Sequence, residues 1–113
     1  PSCAYAIFDG ASGRGCGRDT THPVKSNKYS SNGSLFHLNG NVAEFTFDAF
    51  TRKRNITKIK QYAHQNVIGL NASPVRTVKG GGWMSKWQEL RISSRTSFKA
   101  NITSKNVGFR CAI

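Results

Sequence analysis

The chain has 113 residues, of which 17 are Lys or Arg and 5 are Asp or Glu, giving a formal net charge of +12. This length allows one domain or part of one, and a hydrophobic content of 37% with 11% aromatic residues argues against a disordered chain. The longest apolar run, Ala4–Phe8, is five residues long, far short of the roughly 20 that a membrane-spanning helix needs, so a membrane span is excluded within these residues.

The first predicted strand, Ala4–Phe8, leads into a glycine-rich loop that lies between two cysteines, Cys3 and Cys16. The loop centre, Asp9–Gly15, carries turn-forming residues that let a chain fold back on itself. We therefore predict a Cys3–Cys16 disulfide, which would contribute about 3 kcal/mol at this loop length and indicates an oxidising compartment. The alternative is metal binding. A tetrahedral site would need a second close pair of cysteines or histidines at ligand spacing, and the sequence has neither.

The second predicted strand, Val42–Phe47, follows a turn rich in glycine and side-chain amides. The segment Asn39–Glu44 combines turn carbonyls with one carboxylate, and such oxygens are the ligands that calcium prefers. The pattern predicts a turn before the strand and offers candidate calcium ligands.

The third predicted strand, Ile56–Tyr62, is basic and follows the cluster Arg52–Arg54. Its alternation would place Lys58 and Lys60 on one face. Two interpretations stay open, a solvated basic edge that discourages aggregation or a site for a polyanion. The sequence pI of about 10.3 favours an acidic partner, whether nucleic acid, anionic glycan or protein.

Three further strands are predicted at Val75–Lys79, Leu90–Ser93 and Gly108–Ile113. Between the first two, Gly80–Trp83 places three glycines before a tryptophan, which allows two backbones to approach closely while the indole fills the space beyond. A phosphate-binding loop is the alternative, but its Lys-Ser/Thr ending is missing. Short strands separated by turn signals predict a loop-rich fold, mainly β or α+β.

Five segments, His22–Ser26, Leu35–Phe45, Thr77–Trp83, Leu90–Arg95 and Asn106–Cys111, match a set of family motifs in the same chain order. Together they resemble the formylglycine-generating enzyme (sulfatase-modifying factor) family. Leu35–Phe45 resembles L-Y-D-M-x-G-N-V-x-E-W, and Thr77–Trp83 resembles R-V-x-R-G-G-S-W. Segments similar to P-V-G-S, L-R-x-x-x-R and N-x-G-F-R-C lie at His22–Ser26, Leu90–Arg95 and Asn106–Cys111. The resemblance implies an α+β, loop-rich fold with short antiparallel strands, of the C-type-lectin-like architecture. Family domains are longer than this chain, so we expect residues 1–113 to be the C-terminal portion of one such domain.

The resemblance also implies a partner for Cys111. In secreted members the cysteine of the N-x-G-F-R-C ending can pair with one in the N-terminal half. Three arrangements stay open: a second chain supplies that half, it is a segment removed from this fragment, or it is absent because the protein is a reduced version of the domain. The chain begins with Pro1, and we expect it to be processed or a fragment. The expected location is extracellular, periplasmic, or at a virion or cell surface.

Active members of the family bind copper through two cysteines that follow the Gly-Gly-Ser-aromatic motif. Aligning Gly80–Met84 with that motif places Ser85 and Leu90 at the two positions. Neither side chain is a thiolate, so the two-sulfur copper site is not expected here. No catalytic residue is therefore assigned.

The resemblance further implies a structural calcium, held by the Gly40 and Val42 carbonyls and the Glu44 side chain. His37 stands where the family motif opens with Asp or Asn, and it is a poor ligand for a hard cation. The alternative is that Glu44 pairs with an arginine, and the candidates are Arg91, Arg95 and Arg110.

The predicted function is a catalytically silent binding or assembly module. The same fold serves as a display scaffold in targets of diversity-generating retroelements, whose variable patch would correspond to Met84–Gln88 and Ser94–Lys105. The predicted contact residues mix aromatics with cations, which suits an acidic protein or glycan partner, and they are Lys86, Trp87, Arg95, Phe98 and Lys99. Three alternatives stay open. In the first, Trp87 and Phe98 are core residues and not contact residues. In the second, the chain is part of an oxidase whose catalytic residues lie in the N-terminal half, and in the third it binds a polyanion.

Overall fold

Four short strands form one mixed sheet in the computed structural model, which describes residues 2–26, 35–50 and 74–111. The strands are β1 (Ala43–Ala49), β2 (Val75–Lys79), β3 (Thr96–Lys99) and β4 (Val107–Gly108). Their order across the sheet is β3-β2-β1-β4. Two 3₁₀ helices, Arg14–Gly17 and Trp87–Leu90, are the helical elements of the described ranges, so the predicted loop-rich α+β fold is confirmed.

The sheet contains both antiparallel and parallel strand pairs. β2 pairs antiparallel with both β1 and β3, with Phe45 opposite Val78 and Thr77 opposite Ser97. β4 instead pairs parallel to β1, with Ala43 opposite Val107. The sheet is therefore mixed, because the last strand arrives by a long connection and not by a hairpin.

Two of the predicted strands agree closely with the structure. The bounds of β2 are those predicted, and β1 begins one residue after the predicted Val42 and ends at Ala49. A register shift between Phe45 and Ala49 accounts for the longer β1, since a bulge lets a strand continue beyond its regular ladder. The predicted strand Ile56–Tyr62 lies outside the described residues.

Other strand predictions are wrong, because most of these residues do not pair along a neighbouring strand. Ala4–Phe8 makes a single bridge, between Ile7 and Gly40. Leu90 ends a 3₁₀ helix, and β3, which was not predicted, begins only at Thr96. Of Gly108–Ile113, only Gly108 lies in a strand within the described part of the chain.

One cluster of buried apolar residues lies between the N-terminal segment and the second 3₁₀ helix. Ala6, Phe8 and Leu90 form a cluster against which Cys3 and Cys16 pack. The two cysteines are joined, with Cα atoms 5.9 Å apart, so the predicted disulfide is confirmed. Apolar segments thus supply the core even where they form no strand. No helix among the described residues has the length and apolar character needed to cross a membrane.

Candidate functional site

A close contact between two loops positions the segment that carries most of the candidate site residues. Gly82 passes against Asn106, and a Cβ atom on Gly82 would overlap the Asn106 side-chain oxygen. That oxygen accepts a hydrogen bond from the Met84 N–H at 3.0 Å, and the buried Trp83 indole donates to the Lys105 carbonyl at 3.0 Å. The three glycines therefore allow the close backbone approach that the sequence indicates.

Ser85 and Leu90, which occupy the two copper-ligand positions of the resemblance, are both buried. The Ser85 hydroxyl accepts from the Gly82 N–H at 3.1 Å and from the Asn106 side-chain amide at 3.4 Å. Leu90 packs in the apolar cluster with Phe8. A hydroxyl and an alkyl group do not provide the thiolates that a copper(I) site prefers, so the side chains present do not fit this metal.

A cavity of about 180 Å³ opens beside Ser85, between the second 3₁₀ helix and β3. Apolar side chains, including Val78 and Phe98, form part of its wall. The hydrogen-bonding residues that line it are Ser85, Glu89, Thr96, Ser97, Ser104 and Asn106. A lining rich in hydroxyl and amide groups can hydrogen-bond a small polar group. Within residues 2–26, 35–50 and 74–111, no cluster of three or more His, Cys, Asp and Glu could hold a metal ion.

Lys86 and Trp87 lie side by side on the surface at the start of the second 3₁₀ helix. The Lys86 ammonium pairs with the Asp9 carboxylate at 2.7 Å, and the Lys86 N–H donates to Glu89 in a capping box. The Trp87 side chain is 44% exposed, and the Arg91 guanidinium lies 4.7 Å from the centre of its ring. The Arg91–Trp87 contact was missed at the level of sequence, where Arg91 was considered only as a partner for Glu44.

The structure divides the other three predicted contact residues between the two faces of the sheet. Phe98 is opposite Arg76 and Lys99 is opposite Val75, so their side chains point to opposite faces. Phe98 is half-buried and packs edge-on against Phe45, with ring centres 6.0 Å apart.

Arg95 lies on the face opposite Phe98. It donates to the Thr77 hydroxyl at 3.3 Å and stacks 5.6 Å from the Phe50 ring centre, whereas the neighbouring Lys99 is exposed. A contact role for these residues stays a prediction, as it does for Lys86 and Trp87.

Glu44, a candidate calcium ligand, pairs with Arg110. The Arg110 Nε donates to both carboxylate oxygens at 3.0 and 3.1 Å, and Nη2 reaches the Phe36 carbonyl at 2.9 Å. The Glu44 hydrogen bond raises the pKa of Arg110 above its ordinary value. Calcium would have to share this carboxylate with a guanidinium, while the Gly40 carbonyl accepts the Val42 N–H at 2.9 Å. Calcium binding by Gly40, Val42 and Glu44 stays a prediction, tested by whether calcium raises the melting temperature.

His37 lies beside this pair with both ring nitrogens buried and without a hydrogen-bond partner in the described chain. Burial lowers the pKa of His37, and electrostatic interactions with His22 and Arg110 lower it further. The nearby Pro23 carbonyl opposes the shift but does not form a hydrogen bond of normal geometry. His37 is therefore a neutral side chain in the folded protein at neutral pH.

Comparisons with known proteins agree with the motifs. Residues 5–113 match the model of the sulfatase-modifying factor enzyme 1-like domain family. A similar solved structure is Treponema denticola variable protein 1, with a TM-score of 0.68 and 21% sequence identity over 94% of this chain. This likeness supports the C-type-lectin-like fold, and the chain spans about a third of that protein, 34% of its length. No curated protein matches the chain.

Proposed function

This chain belongs to the sulfatase-modifying factor enzyme 1-like domain family, and from that membership we propose that it is a catalytically silent domain used for binding or assembly at a cell or virus surface. The observation that carries the proposal is the chemistry of two positions. Ser85 and Leu90 stand where the motif alignment places the copper-binding cysteines, and neither supplies a sulfur ligand.

The local packing supports this interpretation. The Ser85 hydroxyl holds the glycine loop and Asn106 together, and Leu90 belongs to the apolar cluster. Both side chains therefore stabilise the fold at positions where an oxidase would hold its metal. The hydroxyl-rich cavity beside Ser85 remains a concave feature suited to a polar group of a partner.

The surface around this cavity supports a binding role. Exposed Lys86 and Trp87 lie next to Ser85 in the chain, and Phe98 lines the cavity that Ser85 also lines. Tryptophan and arginine are enriched at protein contacts because they combine apolar area with directed polar groups. Arg95 and Lys99, on the other face of the sheet, would belong to a contact that extends around β3.

The Cys3–Cys16 disulfide supports an extracellular, periplasmic or virion-surface location. Disulfides persist in oxidising compartments and are rare in the cytosol. The bond closes a glycine-rich loop whose backbone holds Trp83, through a 2.9 Å hydrogen bond from the Gly15 N–H. Reduction in the cytosol would therefore loosen the same segment that carries the proposed contact residues.

The proposal is tested with the purified chain, copper(I), oxygen and a sulfatase-type cysteine peptide, followed by mass spectrometry of the peptide. We expect no conversion of cysteine to formylglycine under conditions in which an active family member, used as the positive control, converts the peptide. Turnover by this chain would contradict the proposal.

A second candidate function, polyanion binding, is favoured by the net charge of +12. A non-specific electrostatic contact with nucleic acid or an acidic glycan weakens steeply with salt. Equal retention of the chain on heparin and on DNA, lost together at moderate salt, would favour this candidate. Passage of the chain through both columns at low salt would oppose it.

A third candidate rests on the 34% coverage of the structural neighbour. The chain would then be one part of a larger domain, with a partner for Cys111 and the catalytic groups on another segment or chain. Non-reducing peptide mapping of the protein from its native source would support this candidate by finding Cys111 in a disulfide with another segment.

A further inference from the structure

One exposed surface combines apolar side chains with cations on a single stretch of chain. Met84 is 38% exposed, Trp87 44% and Ile92 84%, and the exposed Lys86 and Arg91 lie between them. We call these five residues the 84–92 surface. Lone exposed apolar residues are ordinary, but three within nine residues, interleaved with cations, form a candidate contact patch.

The backbone beneath the 84–92 surface is held from several sides. The Ser85 carbonyl accepts the Asp9 N–H and the Ser85 N–H donates to Gly82, both at 2.9 Å. Leu90 anchors the other end of the 3₁₀ helix in the apolar cluster, and the Lys79 ammonium donates to the Ile92 carbonyl. Because this backbone is already ordered in the free chain, binding of a partner would cost little conformational entropy here.

Arg91 differs from Lys86 in what its charge contacts. The Lys86 ammonium is paired with Asp9. The Arg91 guanidinium lies over the Trp87 ring and makes no hydrogen bond or ion pair with the described residues. Stacking on an aromatic face orients the guanidinium plane and leaves its N–H edge open. An oriented guanidinium edge matches a carboxylate, which accepts two parallel hydrogen bonds from it.

We propose that Arg91, oriented by Trp87, is the centre of a docking site for a partner protein that presents an Asp or Glu side chain next to an apolar one. This inference rests on the proposed binding function and names its partner class. The carboxylate would bind the open edge of Arg91, and the apolar side chain would pack against Trp87 and Ile92. The net charge of +12 attracts an acidic partner, and the exposed Met, Trp and Ile favour a protein over a glycan or nucleic acid.

The test uses a library of random peptides displayed on phage, selected against the immobilised, disulfide-bonded chain. We expect the enriched peptides to contain Asp or Glu beside a large apolar residue. One enriched peptide is then synthesised and titrated against the chain and its variants, alongside a version in which Asn and Gln replace the acidic residues. Loss of a central interface residue typically weakens binding about tenfold or more.

Arg91→Ala should weaken the acidic peptide at least about tenfold, and Arg91→Lys should recover little because lysine lacks the planar edge. The matched control is Arg18→Ala, which removes the same charge from an exposed arginine elsewhere. Melting temperatures of all three variants should stay close to that of the parent chain, since both arginines are exposed.

Three results would overturn the inference. These are no enrichment of acidic peptides, equal weakening by Arg91→Ala and Arg18→Ala, or unchanged binding of the uncharged peptide. Equal weakening would point to net charge and so to a polyanion. None of these results bears on the oxidase assay, so failure of this docking site is distinguishable from failure of the proposed function.

Discussion

Asn41 shows how a single side chain organises loops in this fold. Its backbone is left-handed, with φ of 66°, a conformation that asparagine tolerates better than most residues. Its side chain accepts from the His22 N–H at 2.8 Å and donates to the His22 carbonyl at 3.1 Å. Its own N–H donates to the Ile7 carbonyl and its carbonyl accepts from Trp83. One residue of the Gly-Asn-Val motif thus joins three loops, which explains why the motif can be recognised without regular structure around it.

His37 makes stability depend on pH. Its pKa in the folded protein lies below the ordinary value of 6.5, so between these two values the unfolded chain binds the proton more readily. The free energy of unfolding is therefore undiminished by this group above pH 6.5 and falls as the pH drops below it. Urea unfolding at pH 7.5 and pH 5 measures the loss.

The matched variant is His37→Asn, since asparagine accepts the positive φ of 54° at this position. The variant should lose less stability between the two pH values than the parent chain does. An identical loss in both proteins would show that other groups cause the pH dependence.

At the level of elements, the strands that could be predicted are those with strong local signals. β2 has β-branched residues bounded by Pro74 and Gly80, and these bounds appear in the sequence. β3 could not be predicted, because the run Thr96–Lys99 is short and is defined by its pairing with β2. Ala4–Phe8 is apolar enough for a strand, yet its partners are loop backbones and core side chains.

Those parts of the candidate site that lie in sequence motifs could be predicted. The parts that depend on contacts between distant segments could not. The glycines before Trp83 and the sulfur-free positions Ser85 and Leu90 follow from the motif alignment alone. The contact between Arg91 and Trp87 depends on the turn that the second 3₁₀ helix makes. The sheet register likewise separates Phe98 from Lys99, which no motif indicates.

Gly82→Ala should destabilise the chain severely. Its Cβ would overlap the Asn106 side chain, and Asn106 could move only by giving up its hydrogen bond from the Met84 N–H. We expect a loss of about 3 kcal/mol or more, in the range of overpacking at a buried position combined with the loss of one hydrogen bond. Thermal unfolding followed by circular dichroism measures it.

The control for this change is Gly108→Ala in β4. An added Cβ there meets a Val42 methyl at 3.5 Å, an ordinary contact. Its melting temperature should stay near that of the parent chain. Similar losses in the two variants would contradict the close-approach explanation.

Removing the disulfide should cost about 3 kcal/mol, the value for a loop of this length. The variant Cys3→Ala with Cys16→Ala also removes two side chains that pack on the Phe8 cluster, so the loss should not be smaller. Cys111→Ser is the control, because this thiol is free and exposed. Guanidinium unfolding compares the three proteins, and equal stability of the double variant and the parent chain would contradict the prediction.

Trp87 and Phe98 should respond differently to truncation. Trp87→Ala removes a 44% exposed side chain and should change the melting temperature little. Phe98→Ala removes a half-buried ring packed on Phe45 and should cost about 1–2 kcal/mol, less than the full burial value. Calorimetry distinguishes the two, and a larger loss at Trp87 would place that residue in the core instead of the contact surface.

At the scale of the whole molecule, contacts distant in sequence close the structure. β4 completes the sheet beside β1, Asn106 fixes the glycine loop, and Arg110 binds Glu44. All three contacts come from residues 106–110, and they hold β1, Glu44 and the glycine loop. The sheet therefore depends on a short segment that supplies little regular structure of its own.

Ending the chain after Lys105 should abolish cooperative unfolding, because it removes β4, Asn106 and Arg110 together. Ending it after Arg110 is the control and should preserve the transition. Near-ultraviolet circular dichroism and urea titration report the tertiary structure. A cooperative transition in the shorter protein would show that residues 106–110 are dispensable.

The parallel pairing of β4 with β1 also sets the order of events while the protein is being made. Cys3 and Cys16 are close in sequence, so in an oxidising compartment they can be joined while the rest of the chain is still being made. One edge of β1 pairs with β2, but its other edge stays unpaired until residues 107–108 emerge. A nascent chain halted before that point is expected to be oxidised already and still open to proteases and chaperones.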